Sequence, residues 1–484
     1  MTTSKCQYGL TNRQAGVLLH PTSLPGEGSL GPEAINLLDF LSAAGISVWQ
    51  MLPVGPTHAD GSPYQGLSVH AGNPDLISLQ WLVDEALLDA GFDGGRTEAL
   101  ASCCRRFFES SSAESKLPWY RFLEEHAIWL DDYALFCAIR SDQSNKGWWE
   151  WPTELRIRDS GALERCHERL AVEIRQIQFE QFVFYRQWHR VKEEARNRKI
   201  ELFGDLPIFV AHDSADVWQH QDLFKLDESG QPTVVAGVPP DYFSATGQRW
   251  GNPLYDWTAL RESGYAWWVD RIRSAFDLFD IVRIDHFRGF QSHWEIPAQC
   301  ETAIDGVWVP GPGEELFQRL SAELGSLPLI AEDLGLITED VLQLRDRLGL
   351  PGMKILQFAF DGNNDNPYLP HNHVPNSVVY TGTHDNDTTM GWLDSLDKTT
   401  KAYLDEYLGH PQELMPWPLI RAALASVADL SVVPMQDLLG LSAEHRMNTP
   451  GTTEGNWDWR FEWAQVPEHL PARIRGLLGL YQRV

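Results

Sequence analysis

Cysteine is scarce in this 484-residue chain, which has six and no Cys-x-x-Cys pair. Cys103 and Cys104 are adjacent, and this spacing argues against a disulfide framework or a structural zinc site. Basic residues are also few, with 39 lysines and arginines against 67 aspartates and glutamates, so the net charge is −28. A field of that sign repels a phosphate backbone, which argues against nucleic acid as a partner.

Long apolar runs are missing as well. No stretch approaches the roughly 18 apolar residues of a membrane span, and the first residues lack the apolar core of a signal peptide. We therefore expect a cytoplasmic protein without a membrane partner. Tryptophan, by contrast, is abundant, with 20 residues. Its aromatic face suits the flat apolar face of a sugar ring as well as a protein core.

Short apolar runs alternate with amphipathic helical patterns such as 32–44, 314–324 and 338–348. Strands that alternate with helices predict a parallel sheet, and eight such units predict a (β/α)8 barrel, an α/β fold with its active site at the carboxyl ends of the strands. The predicted strands are 16–20, 48–52, 200–205, 281–285, 329–333, 353–358, 378–382 and 430–437.

We expect residues 1–484 to form a single catalytic barrel with two insertions over its carboxyl-terminal face. Residues 56–198 separate the second and third strands, and they predict a mostly helical insertion. Residues 206–279 separate the third and fourth strands, and their glycines, prolines and aromatics predict a loop-rich insertion.

Carboxylates stand at or near the ends of four predicted strands. They are Asp205, Asp285, Glu332 and Asp385. A charge at the end of a buried strand is costly unless it is paired or functional. One such acid is explained by a structural ion pair, whereas four, together with Arg283, indicate an active site.

The fourth strand can be interpreted residue by residue. Side chains alternate along a strand, so Arg283 and Asp285 share the inner face, where the guanidinium would keep the aspartate ionised. An ionised carboxylate is a suitable nucleophile for an anomeric carbon. Glu332 ends an apolar strand, where a raised pKa would suit a general acid. Together they form the acid pair of a retaining glycosidase, which requires carboxyl groups roughly 5–5.5 Å apart.

The fourth acid of this set, Asp385, follows His384. A metal site is one interpretation of this pair, but no second His/Asp set has ligand spacing. Contact with sugar hydroxyls is the better interpretation. His20 and His286 are equally consistent with a functional and with a structural histidine.

Several motifs span nearly the whole chain in one order. They are Leu19-His-Pro-Thr-Ser-Leu-Pro25, Ser62-Pro-Tyr-Gln65, Phe203-Gly-Asp-Leu-Pro207, Pro239-Pro-Asp-Tyr-Phe243, Gly247-Gln-Arg-Trp-Gly-Asn-Pro253, Val282-Arg-Ile-Asp-His-Phe-Arg-Gly289, Ile330-Ala-Glu-Asp-Leu-Gly335, Gly382-Thr-His-Asp-Asn386 and Asn448-Thr-Pro-Gly-Thr452. Together they resemble the motifs of the amylomaltases, the 4-α-glucanotransferases or disproportionating enzymes of glycoside hydrolase family 77. One departure is Val69-His70, where the family usually has Ala-Phe, which leaves local packing or a sugar contact open.

The resemblance implies a role for each matched residue. Asp285 matches the nucleophile, Glu332 the acid/base and Asp385 the transition-state-stabilising aspartate. The remaining matches are substrate-binding residues: Arg283 and His384 at the cleavage subsite, Tyr64 stacking near the cleaved sugar, Asp205 as a supporting acid, Trp250 and Tyr242 on the loop over the acceptor side, and Asp241 as a possible sugar ligand there.

The resemblance further implies a retaining double displacement that moves α-1,4-glucan segments to the 4-hydroxyl of an acceptor. The expected partners are malto-oligosaccharides and starch- or glycogen-derived glucans, with glucose as an acceptor. No cofactor is implied. Transfer requires the exclusion of water from the covalent intermediate, and the loop carrying Tyr242, Phe243 and Trp250 is the candidate for this.

Three alternatives remain at this point. An α-1,4-glucan hydrolase would use the same barrel and acids. A dinucleotide-dependent enzyme is suggested by Gly26-Glu-Gly-Ser-Leu-Gly31, but these glycines lie several residues past the strand, and no acid ends the second strand. A non-catalytic glucan-binding protein would not need Arg283, Asp285 and Glu332 in register.

Overall fold

Eight parallel strands form the barrel that the alternating pattern predicts. The computed structural model describes residues 13–110, 112–240, 244–452 and 454–483. Apolar and β-branched residues dominate the barrel strands, as expected for strands covered on both faces. Numbered along the whole chain, these strands are β1 (Gln14–Leu18), β2 (Val48–Gln50), β3 (Glu201–Pro207), β6 (Ile281–Asp285), β9 (Leu329–Ala331), β10 (Gly352–Ile355), β11 (Ser377–Tyr380) and β12 (Leu430–Pro434).

The strands pair in chain order around the barrel, and β12 pairs with β1. The junction between β9 and β10 is held differently. There the Ala331 N–H donates to the Pro351 carbonyl at 2.9 Å, and the Met353 N–H donates to a carboxylate oxygen of Asp333 at 2.7 Å. The side chain that follows Glu332 therefore takes the place of a strand carbonyl at this junction.

Large apolar side chains fill the inside of the barrel. Leu18, Phe203, Ile281, Ile355 and Tyr380 belong to one buried cluster with residues from the other barrel strands. A packed interior leaves no pore, and the acids singled out in the sequence stand at or just beyond the carboxyl ends of the strands.

Helices surround the barrel and fill the long second connection. Helix α1 starts with a proline and ends before Gly45, whose φ of 77° stops the helix. The helices are α1 (Pro32–Ala44), α2 (Leu79–Asp84), α3 (Arg96–Ser110), α4 (Leu117–Glu125), α5 (Leu130–Asp142), α6 (Thr153–Arg156), α7 (Ser160–Arg169), α8 (Ala171–Asn197), α9 (Ala215–Gln219), α10 (Trp257–Glu262), α11 (Ala266–Leu278), α12 (Glu314–Leu324), α13 (Glu339–Leu348), α14 (Thr389–Ser395), α15 (Lys398–Tyr407), α16 (Trp417–Ala425), α17 (Met435–Leu439) and α18 (Leu470–Leu480). Helices α2 to α8 lie between β2 and β3. In the part of the chain that the structure describes, none of the helices is long and apolar enough to span a membrane.

A second, antiparallel sheet stands beside the barrel. Its strands are β4 (Val234–Val238), β5 (Gln248–Pro253), β7 (Ser292–Pro297) and β8 (Val307–Pro310), in the order β5-β4-β7-β8. Two of them lie in the 206–279 region, for which the sequence predicts loops, and β7 starts soon after β6 ends. This sheet therefore approaches the barrel at the carboxyl end of β6.

Candidate active site

An arginine on β6 joins two carboxylates at the carboxyl end of the barrel. Arg283 lies opposite Asp205 of β3 in the strand register. Its Nη1 is 2.6 Å from a carboxylate oxygen of Asp205, and its Nη2 is 2.9 Å from a carboxylate oxygen of Asp285. Arg283 and Asp205 are buried, whereas 29% of the Asp285 side chain is exposed. Arg283 thus orients the Asp285 carboxylate from inside the barrel, and Asp285 remains open to the barrel mouth.

Glu332 stands beside Asp285 on the neighbouring strand. Ile284 of β6 pairs with Ala331 of β9, so the next residue of each strand is one of the two acids. Neighbouring strands lie about 4.8 Å apart, and Asp285 and Glu332 therefore face one narrow gap. The two carboxylate oxygens of Glu332 accept the backbone N–H groups of His286 at 2.7 Å and Leu334 at 2.8 Å.

The enclosure of these acids changes their protonation. Burial, with the neighbouring carboxylates of Asp205, Glu332 and Asp385, raises the pKa of Asp285 to about 8 against the opposing effect of Arg283. Burial also raises the pKa of Glu332, although Arg283 and its backbone donors oppose the change. The ion pair with Arg283 thus forms, but it does not keep the pKa of Asp285 low. The two adjacent acids hold a proton above the ordinary carboxyl range.

Aromatic rings line the mouth next to these acids. The Tyr64 hydroxyl donates to Asp205 at 2.7 Å, and its ring stacks on the His384 imidazole at 5.2 Å between centroids. Trp457 approaches both rings, at 6.0 and 6.1 Å. Burial lowers the pKa of His384, so a neutral imidazole faces the site.

Asp385 is the most exposed of the four acids, with 47% of its side chain accessible. One carboxylate oxygen accepts the Asn448 amide at 2.6 Å, and the other lies 3.3 Å from Nε2 of His384. The Arg446 guanidinium donates to the Asp385 backbone carbonyl at 2.9 Å. Residues that follow β12 therefore hold an acid that follows β11.

Trp250 lies on the other side of the site, on β5. Its ring meets the His286 imidazole edge-on at 4.8 Å, and His286 follows Asp285 with a φ of 51°. Burial lowers the pKa of His286 to about 3, so its ring is neutral. Trp250 thus contacts the residue that follows Asp285 in the chain. Asp241 and Tyr242 lie outside the described residues, as does Phe243.

Two other histidines are explained in different ways. His70, at the departure from the family pattern, bonds Ser274 at 2.8 Å and stacks on Trp129, so the departure concerns packing against the helical insertion. His20 is buried near His384, and its pKa is lowered to about 3 by burial first and by that neighbour second. Within the described ranges, no group of three or more His, Cys, Asp or Glu side chains is arranged to hold a metal ion.

The glycine-rich loop after β1 is filled by the protein itself. Arg460 donates to the carbonyls of Thr22 at 2.9 Å and Gly26 at 2.8 Å. A Cβ at Gly28 would lie 2.4 Å from the Thr22 carbonyl oxygen. The loop therefore directs carbonyl groups toward the Arg460 guanidinium. A dinucleotide pyrophosphate would need backbone N–H groups there instead, so this loop does not suit a dinucleotide.

The sequence interpretation missed two residues of this site. Asn448 falls within a matched motif, but no role was assigned to it. Trp457 falls within a tryptophan cluster whose members could each be core residues. Because both lie on the segment after β12, only the folded chain shows that they reach His384 and Asp385.

A barrel with two acids on adjacent strands, one of them paired with an arginine, and with aromatic walls defines the class of this protein: an enzyme that acts on glycosidic bonds. The family model of the 4-alpha-glucanotransferases matches residues 19–465. The chain belongs to this family, glycoside hydrolase family 77.

Similar proteins agree along almost the whole chain. A 4-alpha-glucanotransferase of Thermus thermophilus is 49% identical, with 98% of this chain and 99% of the relative covered. The chloroplastic/amyloplastic 4-alpha-glucanotransferase DPE1 of Arabidopsis thaliana is 45% identical, over 98% of this chain and 86% of the relative. The amylomaltase of Streptococcus agalactiae, solved in complex with acarbose, superimposes with a TM-score of 0.93 at 38% identity, covering 97% and 99% of the two chains.

Proposed function

We propose that this 4-α-glucanotransferase works by a retaining double displacement carried by Asp285 and Glu332. One observation supports the proposal most directly: the two acids end adjacent paired strands, and Arg283 contacts only one of them at ion-pair distance. This asymmetry suits one carboxylate that attacks and another that transfers a proton.

In the first step, Glu332 protonates the glycosidic oxygen while Asp285 attacks the anomeric carbon. The bond between the anomeric carbon and the leaving oxygen breaks, and the reducing-end fragment departs with the proton. In the second step, the 4-hydroxyl of an acceptor gives its proton to Glu332 and its oxygen replaces Asp285. Two inversions restore the α-configuration.

The raised pKa values of Asp285 and Glu332 indicate the protonation state of the enzyme before it reacts. The acid pair holds a proton that the mechanism needs on Glu332, with the negative charge on Asp285. Arg283 favours this arrangement because its guanidinium lies 2.9 Å from Asp285. Loss of the shared proton at high pH removes the general acid, so activity declines on the basic side.

The remaining residues of the site bind sugar. Asp385 and the neutral His384 are placed to hydrogen-bond hydroxyl groups of the sugar under attack, and such bonds strengthen as positive charge develops on its ring. Tyr64, fixed by Asp205, offers a ring face on the same side. Trp250 lies on the opposite side, where we place the acceptor, together with Tyr242 and Asp241 of the neighbouring loop.

We propose malto-oligosaccharides and related α-1,4-glucans as donors, with glucose or another glucan as acceptor. The acarbose complex of the Streptococcus agalactiae amylomaltase supports a sugar-shaped site in this fold. We also propose that residues 1–484 act as one catalytic unit, in which the 56–198 and 206–279 insertions shape the mouth. Tyr64 and Trp250, from these two regions, face the site from different sides.

Incubation with maltotriose tests the proposed transfer. We expect glucose together with a ladder of longer chains, because the covalent intermediate passes its glucan to another sugar. Shorter sugars alone would identify a hydrolase instead. The wild-type protein serves as the reference for Asp285→Asn, which we expect to lose all measurable transfer, and near-normal turnover in that variant would refute the nucleophile assignment.

A trapping experiment tests the covalent step separately. In a Glu332→Gln variant, α-maltosyl fluoride can still react with Asp285 because fluoride leaves without protonation, whereas the second step lacks its base. Mass spectrometry should find a maltosyl group on the peptide that contains residue 285. An adduct on any other residue would contradict the proposal.

A further inference from the structure

Asn448 makes a contact with the active site that the transfer chemistry described above does not use. Its side-chain amide donates to one carboxylate oxygen of Asp385 at 2.6 Å. Asn448 is 9% exposed, whereas Asp385 is among the exposed residues of the site. A buried amide donor therefore restrains an exposed carboxylate that could otherwise rotate.

The surroundings of Asn448 explain why its amide stays in place. Arg446 donates to the Asn448 carbonyl at 2.7 Å and to the Asp385 carbonyl at 2.9 Å. The Trp457 N–H donates to the Met447 carbonyl at 2.8 Å, which closes the chain behind Asn448. One arginine thus connects the backbone of the acid to the backbone of the residue that holds its side chain.

The second contact of Asp385 is weaker. Its other carboxylate oxygen lies 3.3 Å from His384, whose neutral imidazole adds little charge attraction. Asp385 also needs a free oxygen for sugar, since an acid that binds a hydroxyl must accept its hydrogen. Asn448 occupies one carboxylate oxygen, and the other, which only the longer contact with His384 holds, is the one we expect a sugar hydroxyl to use.

We propose that Asn448 is a positioning residue that fixes the Asp385 carboxylate for the transition state. This inference rests on the proposed role of Asp385. A hydrogen bond to a charged group has an effect corresponding to roughly 10- to 100-fold in rate when it is lost. We therefore expect Asn448→Ala to lower kcat for maltotriose disproportionation about 10- to 100-fold with little change in KM.

Asn456 provides a matched control in the same segment. Its side chain accepts the Thr449 N–H at 2.8 Å and donates to the Thr452 carbonyl at 3.0 Å. An Asn456→Ala variant removes internal bonds of the segment but no bond to Asp385. Its kcat should stay within about threefold of wild type, and an equal loss in both variants would reduce Asn448 to a structural role.

A charge test gives a readout that loosened packing would not produce. Asn448→Asp has nearly the same shape but sets a second carboxylate against Asp385, and two adjacent carboxylates hold a proton to higher pH. Other charged or titratable groups around Asp385 are His384, Tyr64, Arg446 and Asp285, and this variant leaves them in place. The acidic limb of its kcat/KM profile should move up by at least one pH unit, and an unchanged limb would overturn the proposal.

The two proposals fail in different ways. If Asp385→Ala keeps normal activity, the role of Asp385 in transfer is wrong. If Asp385→Ala is inactive but Asn448→Ala has a normal kcat, only the positioning role is wrong. Thermal unfolding of each variant identifies one that does not fold, and the nearly isosteric Asn448→Asp then carries the test.

Discussion

Replacing Asp285 by asparagine should make the protein more stable as it removes activity. Burial and three neighbouring carboxylates disfavour the charged form of Asp285. Together they raise its pKa from 3.8 to about 8. Its ionisation therefore opposes folding. Asparagine keeps the shape and removes the charge. Arg283 keeps a partner in the variant, because Asp205 lies 2.6 Å from its other nitrogen.

The size of the effect follows from the same geometry. A tenfold change in acidity corresponds to about 1.4 kcal/mol, so a fully enclosed Asp285 would oppose folding by about 6 kcal/mol. Solvent reaches 29% of the side chain and screens this effect. We therefore expect a gain of about 2 kcal/mol, which for a chain of this length raises Tm by about 2 °C.

The dependence on pH identifies the cause. A carboxyl group whose pKa is raised by folding opposes stability only above its unfolded pKa, and the opposition grows until the pH passes the folded value. The variant and the wild type should therefore unfold at similar temperatures near pH 4 and diverge up to about pH 8.

Thermal unfolding from pH 4 to 9 measures this difference. Asp361→Asn provides the control, because Asp361 is an exposed turn residue that accepts the Asn363 N–H at 2.9 Å. Its Tm should follow the wild type at every pH. A destabilised Asp285→Asn, or a difference that does not vary with pH, would refute the reasoning.

Three further predictions concern the same network. Arg283→Lys offers one ammonium where two carboxylates need separate nitrogens, so we expect a loss of activity above 100-fold and a lower Tm, measured by maltotriose turnover and thermal unfolding; near-normal values would show that the fork is dispensable. Tyr64→Phe keeps the ring on His384 but loses the bond to Asp205, so kcat/KM should fall about 10-fold, and an unchanged value would exclude a role for that bond. Glu332→Gln should lose more than 100-fold in maltotriose turnover but much less in the release of fluoride from α-maltosyl fluoride, and equal losses would contradict its role as the acid.

The barrel could be predicted from the sequence because its strands are short apolar runs between helical patterns. Helix 32–44 was predicted at its observed bounds, since a proline begins it and a glycine follows it. The second sheet was not predicted. Strand β5 is Gln-Arg-Trp-Gly-Asn-Pro, which has neither an apolar run nor clear alternation, and it becomes a strand only by pairing with β4.

The four acids could likewise be found from their positions near strand ends. The ion pair between Arg283 and Asp285 followed from alternation along one strand. The strength of burial around Asp285 did not follow, because it depends on what covers the barrel mouth. Asn448 was missed for a related reason: its partner lies 63 residues away, and no local pattern connects the two.

The contacts around the acids span the chain from Tyr64 on the second connection to Asn448 after the last barrel strand. A polypeptide still emerging from the ribosome therefore lacks part of this constellation until residue 448 has been made. Synthesis at about 5–20 residues per second leaves that interval at tens of seconds. A newly made molecule should gain its ability to rearrange glucans all at once, after the segment that contains Asn448 has folded, rather than stepwise.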